Sequence, residues 1–259
     1  MLNAEVNLEL IQHSTFSIQH SALPDSFVFS VDAIIRATPT TRIVRLALRG
    51  EPFVFEAGQA ALIGPADQPV RIPYSIASAP IETLEHGWLD FLIKIEEPSG
   101  RWGHQFDGMR TGMAMGVQGP LGSFMFPANP VERHFLFIAG GTGIAPIRAM
   151  IRQALLRGQE GRMRLLYSAK TADDFAYLPE LGAMAHESGL DLRLHVTREA
   201  PETWHGERGR ISLGQLSPLI DDPATLCFVC GPETMVADVP RMLVELGIEK
   251  GRVRVEEWQ

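Results

Sequence analysis

The chain has 259 residues, 45% of them hydrophobic and 21% charged, with a formal net charge of −8. That length suits two domains, each with its own core, and the acidic balance excludes a general electrostatic pull toward nucleic acid or an anionic membrane. The only two cysteines, Cys227 and Cys230, exclude a disulfide framework and the four thiolates of an iron–sulfur cluster. No apolar run reaches the ~18 residues of a membrane span and no secretory signal is evident, so a cytoplasmic location is expected.

Residues 1–26 show little periodicity and read as an N-terminal extension. Short β-rich runs at 27–35, 43–48, 60–63, 89–95 and 113–117 then alternate with Gly and Pro turns, which predicts an antiparallel β-barrel over 27–128. One barrel strand carries Arg71, Tyr74 and Ser75 in close order. A cation, an aromatic ring and a hydroxyl so placed suit a planar, phosphorylated ligand; they equally suit a plain strand with Tyr74 half-buried and Arg71 solvated. From 129 to 259 strands at 135–139, 163–167, 192–197 and 226–229 alternate with helices at 146–157, 178–188 and 234–246, which predicts a parallel, Rossmann-like sheet.

The first of these strands breaks into Gly140-Gly141-Thr142-Gly143 and opens a helix in which Pro146 takes an early position. Glycines allow a tight turn and leave no Cβ between backbone amides and a phosphate, while the helix N-terminus attracts the anion. An ordinary glycine-rich turn has the same residues. The strand at 226–229 runs into Cys230-Gly231-Pro232, and in a parallel sheet this turn and the one at Gly140 are expected to share a crevice.

Other patterns are weaker. The histidines lack the paired spacing of a metal site, and no metal is expected. Neighbouring carboxylates at Glu96–Glu97 and Glu256–Glu257 point to opposite faces of a strand. Arg148 and Arg152 lie four apart on one helix face, where they read as a small basic patch for an acidic electron acceptor or as a solvated face.

Taken in order, Arg71 with Tyr74-Ser75, Gly119-Pro120-Leu121-Gly122-Ser123-Phe124, the 140–146 turn and Cys230-Gly231-Pro232 resemble the ferredoxin–NADP reductase superfamily. The likeness is greatest to bacterial reductases that feed oxygenases or ferredoxins, and it covers residues 27–259. It implies a flavin-binding β-barrel over 27–128 and an NAD(P)-binding α/β domain over 129–259. It also implies a hydride transfer from nicotinamide to FAD, rather than FMN, and delivery to ferredoxin or another iron–sulfur carrier. A flavin or quinone reductase with a small-molecule acceptor, an electron-transfer subunit of a larger complex, and a sensor that binds flavin without turnover are the alternatives.

By the same resemblance Arg71 contacts the flavin phosphate, Tyr74 packs on the flavin, and Ser75 and Ile76 lie along it, Ser75 near N5. Lys94 and Gly103 line the pyrophosphate. Gly140, Gly141, Thr142, Gly143 and Pro146 hold the dinucleotide, Cys230, Gly231 and Pro232 lie beside the nicotinamide, and Trp258 covers the flavin face. Two departures stand out: Arg71 is three residues before Tyr74 where the family arginine is two before, and Gly103 replaces a Ser or Thr. Lys170, Arg198 and Arg210 are three cations suited to a ribose 2′-phosphate, which favours NADPH over NADH.

Overall fold

The computed structural model describes residues 25–95, 106, 108–198 and 201–257. Nearly all of the expected extension, the Glu96–Glu97 pair, Gly103 and Trp258 lie outside these residues. The chain divides into two units, Met1–Phe126 with Arg148–Gln153, and Pro127–Ile147 with Ala154–Gln259.

The first unit is built on six strands: β1 Ser26–Arg36, β2 Thr41–Ala47, β3 Ala60–Pro65, β4 Ile72–Ser75, β5 Trp88–Lys94 and β6 Ala114–Leu121. All pairs are antiparallel and the order is β4-β3-β6-β1-β2-β5. A bridge between Ile76, just past β4, and Phe91 of β5 joins the two outer strands and closes the barrel. The period-two pattern explains the interior: Phe29 and Val31 of β1, Val44 and Leu46 of β2, and Leu89, Phe91 and Ile93 of β5 point into one core. Closure leaves no long free edge.

A seven-residue helix, α1 Pro80–His86, was not evident from periodicity. Proline opens it, the Glu82 carboxylate accepts the Ala79 N–H at 2.9 Å, and Gly87 ends it in the left-handed region at φ 74°.

The second unit contains β7 His134–Gly140, α2 Ile144–Leu156, β8 Arg162–Ala169, α3 Leu178–Ser188, β9 Asp191–Val196, β10 Glu207–Arg208, α4 Leu213–Leu216, β11 Leu226–Gly231, α5 Glu233–Glu245 and β12 Val253–Glu257. The middle of α2 groups with the first unit. The sheet is wholly parallel, in the order β10-β9-β8-β7-β11-β12. The chain therefore winds outward from β7 through β10 and returns on the other side at β11. That reversal is a topological switch point at the carboxyl ends of β7 and β11.

Strands covered on both faces are continuously apolar, as Phe135–Gly140 and Leu226–Gly231 are. Cys227 and Cys230 are fully buried in β11, and burial pushes the Cys227 thiol up to about 12. At the amino end of the sheet the buried Arg164 donates to both carboxylate oxygens of Asp221, at 2.9 and 2.7 Å, and to the Leu219 carbonyl. The Arg164 hydrogen bonds and charge hold the Asp221 carboxyl well below the usual carboxylate range.

Candidate functional site

In the second unit, β7 ends at Gly140, Gly141–Gly143 form a single 3₁₀ turn, and α2 follows directly. Pro146 is buried in its first turn. Each glycine has its own physical reason. A Cβ on Gly140 would lie 2.7 Å from Pro232 Cδ and 2.8 Å from Met235 Cε, and one on Gly143 would strike the Cys230 carbonyl. Gly141 has open space around it but stands in the left-handed region at φ 54°. A Cβ on Gly231 would in turn meet Met235 Sδ at 2.7 Å and Gly140 Cα at 3.2 Å. The turns at 140–143 and 230–232 are therefore packed backbone against backbone at the switch point. Thr142 is half-buried, Gly141 is exposed, and Cys230 is fully buried.

Lys170, Arg198 and Arg210 are all exposed and follow the carboxyl ends of β8, β9 and β10, on the same sheet edge as the glycine turn. The Arg198 N–H donates to the Lys170 carbonyl at 3.0 Å, which sets those two side by side.

In the first unit, β4 pairs with β3 so that Ser75 faces Ala60 and Tyr74 faces Ala61. Ser75 is 5% exposed, and its Oγ is buried with no hydrogen-bond partner among the described residues. Tyr74 is half-buried, edge-on to Phe106 with ring centroids 5.7 Å apart, and burial raises its phenol pKa. The Ile76 side chain belongs to the barrel core, and its N–H donates to the Gln59 carbonyl at 2.9 Å. Arg71 is engaged with backbone: Nη1 donates to the carbonyls of Pro65 at 2.9 Å, Val70 at 3.1 Å and Gln68, which straps the turn between β3 and β4. Its guanidinium lies over Gly116, with Nε 2.6 Å from where a Cβ would stand. Lys94 ends β5 and is exposed.

The basic-patch reading of Arg148 and Arg152 is corrected. Arg148 is buried and donates to both Glu82 oxygens, one at 2.9 Å, and to the Ala77 carbonyl at 3.1 Å; Arg152 Nε donates to Glu82 at 2.8 Å. Burial opposes ionisation of Glu82, yet the hydrogen bonds and charge of Arg148, with help from the Ala79 N–H and Arg152, bring its carboxyl below the ordinary value. The two arginines neutralise a buried carboxylate within the first unit, and Arg148 is itself buried, so they do not form a free basic patch.

Both ligand groups fit what stands here. A buried hydroxyl with no partner costs free energy that a polar ligand removes, and Ser75 of β4 offers such a hydroxyl. A Cβ-free turn at a switch point suits a pyrophosphate. Among the described residues no three His, Cys, Asp or Glu side chains stand together to hold a metal ion. Sequence reasoning missed Tyr167, whose hydroxyl bonds to the turn itself through the Gly141 carbonyl; a tyrosine in an apolar strand looks like any core residue.

A closed antiparallel barrel followed by a parallel sheet with a glycine turn at its switch point defines a flavin- and nicotinamide-dependent oxidoreductase. Residues 29–126 match the model of the oxidoreductase FAD-binding domain and residues 137–241 that of the oxidoreductase NAD-binding domain. Ferredoxin–NADP reductase B of Sorangium cellulosum is 32% identical over 222 residues, which are 81% of this chain and 87% of that protein. NADH-cytochrome b5 reductase 1 of Pyricularia oryzae is 33% identical over 173 residues, 64% of this chain but only 55% of that protein's length. Among solved structures, the ferredoxin reductase in carbazole 1,9a-dioxygenase superposes with a TM-score of 0.78 at 25% identity, covering 93% of this chain and 71% of that one. The chain belongs to the ferredoxin–NADP reductase superfamily of FAD- and NAD-binding oxidoreductases.

Proposed function

We propose that the protein oxidises NADPH, in preference to NADH, and passes the electrons by way of FAD to ferredoxin or a similar iron–sulfur carrier in the cytoplasm. Flavin supplies the redox chemistry when bound, since it accepts a hydride and gives up two electrons one at a time. The task of the side chains is to bind and orient. The observation that carries the reading is the buried Ser75 hydroxyl on β4, which has no hydrogen-bond partner among the described residues and so has a bond to offer a ring heteroatom. Tyr74 packs on the flavin, Lys94 and Gly103 serve its pyrophosphate, and Trp258 covers its face. Arg71 serves the phosphate mainly by fixing the 65–71 turn, given its three carbonyl partners. On this reading 27–128 form the flavin domain and 129–259 the dinucleotide domain, with Gly140–Gly143 and Pro146 holding the dinucleotide and Cys230–Pro232 bordering the nicotinamide.

The preference for NADPH is supported by Lys170, Arg198 and Arg210 on one sheet edge, since a 2′-phosphate recruits cations where a ribose hydroxyl recruits a carboxylate. An iron–sulfur acceptor is supported by the similarity to ferredoxin–NADP reductase B across most of its length. The similarity to NADH-cytochrome b5 reductase 1 supports a second reading, in which the acceptor is a haem protein and the donor NADH.

Anaerobic titration of the flavin-loaded protein with NADPH and with NADH tests the donor, and reduction of added ferredoxin or cytochrome b5 tests the acceptor. Bleaching of the flavin by NADPH at lower concentration, followed by ferredoxin reduction, is expected. A flavin that neither dinucleotide bleaches refutes the proposal.

A further inference from the structure

One buried polar group at the carboxyl edge of the second sheet has no part in the function proposed above. Tyr167 of β8 is fully buried, yet its hydroxyl meets two backbone groups: it accepts the Ala176 N–H at 3.1 Å and donates to the Gly141 carbonyl at 3.1 Å. The direction is forced, because an amide can only donate, so the single phenol proton points at Gly141. Burial raises the phenol pKa, so that proton is retained at any working pH.

The consequence falls on the next amide. A trans peptide holds its C=O and N–H on opposite sides. The Gly141 carbonyl also accepts the Ile144 N–H within the 3₁₀ turn; held by that amide and by Tyr167 together, it turns the Thr142 N–H the opposite way, next to an exposed Gly141. Near the start of a helical stretch, Thr142 has no carbonyl one turn earlier to receive that N–H. The same hydroxyl pins the segment at Ala176. Its neighbour Phe175 meets the Tyr167 ring edge-on at 5.0 Å and stacks on Trp204 at 5.5 Å and 4°.

We propose that Tyr167 is a positioning residue for the dinucleotide, its hydroxyl holding the Gly141 carbonyl so that the Thr142 amide faces the incoming pyrophosphate. This rests on the reading of the glycine turn as the dinucleotide site. The hydroxyl never touches the ligand. Its removal acts on binding through the turn and leaves the transfer step unchanged.

The test compares flavin-loaded wild type and Tyr167→Phe with three hydride donors: NADPH, NADH and N-benzyldihydronicotinamide, which has no pyrophosphate. Loss of one buried hydrogen bond predicts a KM for the better dinucleotide raised about tenfold with kcat within about twofold, and an unchanged rate with the benzyl donor. An unchanged KM, a fall in kcat at unchanged KM, or an equal loss with the benzyl donor overturns the assignment. Wild type that reduces its flavin with neither dinucleotide overturns the functional reading itself, whereas active wild type beside an unaffected variant overturns only the role of Tyr167. Should Tyr167→Phe not fold, the wild-type Thr142 amide resonance decides: titration with NADP⁺ shifts it strongly if the amide faces the pyrophosphate, and leaves it in place if the assignment is wrong.

Discussion

Gly143→Ala puts the packing of the glycine turn to its hardest test. The new Cβ would strike the Cys230 carbonyl oxygen and lie 2.6 Å from its carbon and 2.9 Å from Gly231 N. These are backbone atoms of β11, which is hydrogen-bonded to β7 on one side and β12 on the other, so β11 has nowhere to retreat. Restoring ordinary contact needs a displacement on the order of 1 Å, and overpacking of that kind costs about 1–3 kcal/mol. With rigid backbone on one side, ~2 kcal/mol or more is expected, a fall of roughly 6–10 °C in the melting temperature of this unit. The relief comes from movement of the turn, which misdirects amides bound to a charged ligand at about 1.5–3 kcal/mol each. Dinucleotide affinity should drop roughly tenfold or more. Scanning calorimetry and titration calorimetry with NADP⁺ measure the two effects, and Gly141→Ala is the comparator. That site is open but left-handed, so it should lose only the ~1–2 kcal/mol of backbone strain. A Gly143→Ala protein that melts and binds like wild type would show that the two turns are not held by this contact.

Three further outcomes are expected. Ser75→Ala should leave the stability of the flavin-free protein unchanged or slightly raised, because no partner is lost, while weakening FAD binding and slowing flavin reduction more than dinucleotide binding; identical FAD affinity and single-turnover reduction would refute the role of its hydroxyl. Gly182→Ala, inside α3 with open space around it, should stabilise the protein by ~0.5–1 kcal/mol in chemical unfolding, and a loss would show that the site is not the ordinary helix position described. The carboxyls of Glu82 and Asp221 are both depressed in the folded state, so the stability they confer is present above their ordinary values of 4.5 and 3.8 and is lost as the pH falls toward their folded values. Denaturation followed from pH 7 to pH 3 should show that acid limb. Glu82→Gln should flatten its share and, by removing the buried carboxylate that Arg148 and Arg152 both grip, cost about 3 kcal/mol at neutral pH; an unchanged limb would refute the assignment.

Much of this architecture was legible in the chain. The helix over 178–188 emerged with the observed bounds, and the glycine run after a wholly apolar strand placed the switch-point turn, because local rules govern both. What escaped depends on distant partners. α1 is too short for periodicity and is pinned by Glu82. β10 has two residues, and β12 pairs on one side only. Helical spacing put Arg148 and Arg152 on one face correctly but carried no sign that the face is covered, since Glu82 lies 66 residues from Arg148. The partners of the Tyr167 hydroxyl are 26 and 9 residues away, beyond any local pattern.

The two thiols of β11 make a built-in gauge of motion. Three residues apart on a strand, Cys227 and Cys230 point to opposite faces, too far apart for a disulfide to join them. Both are sealed from solvent, and the 259 residues contain no other cysteine. Under native conditions a thiol reagent therefore reacts only when the parallel sheet opens, and the rate of modification counts those openings while staying blind to any fluctuation of the barrel.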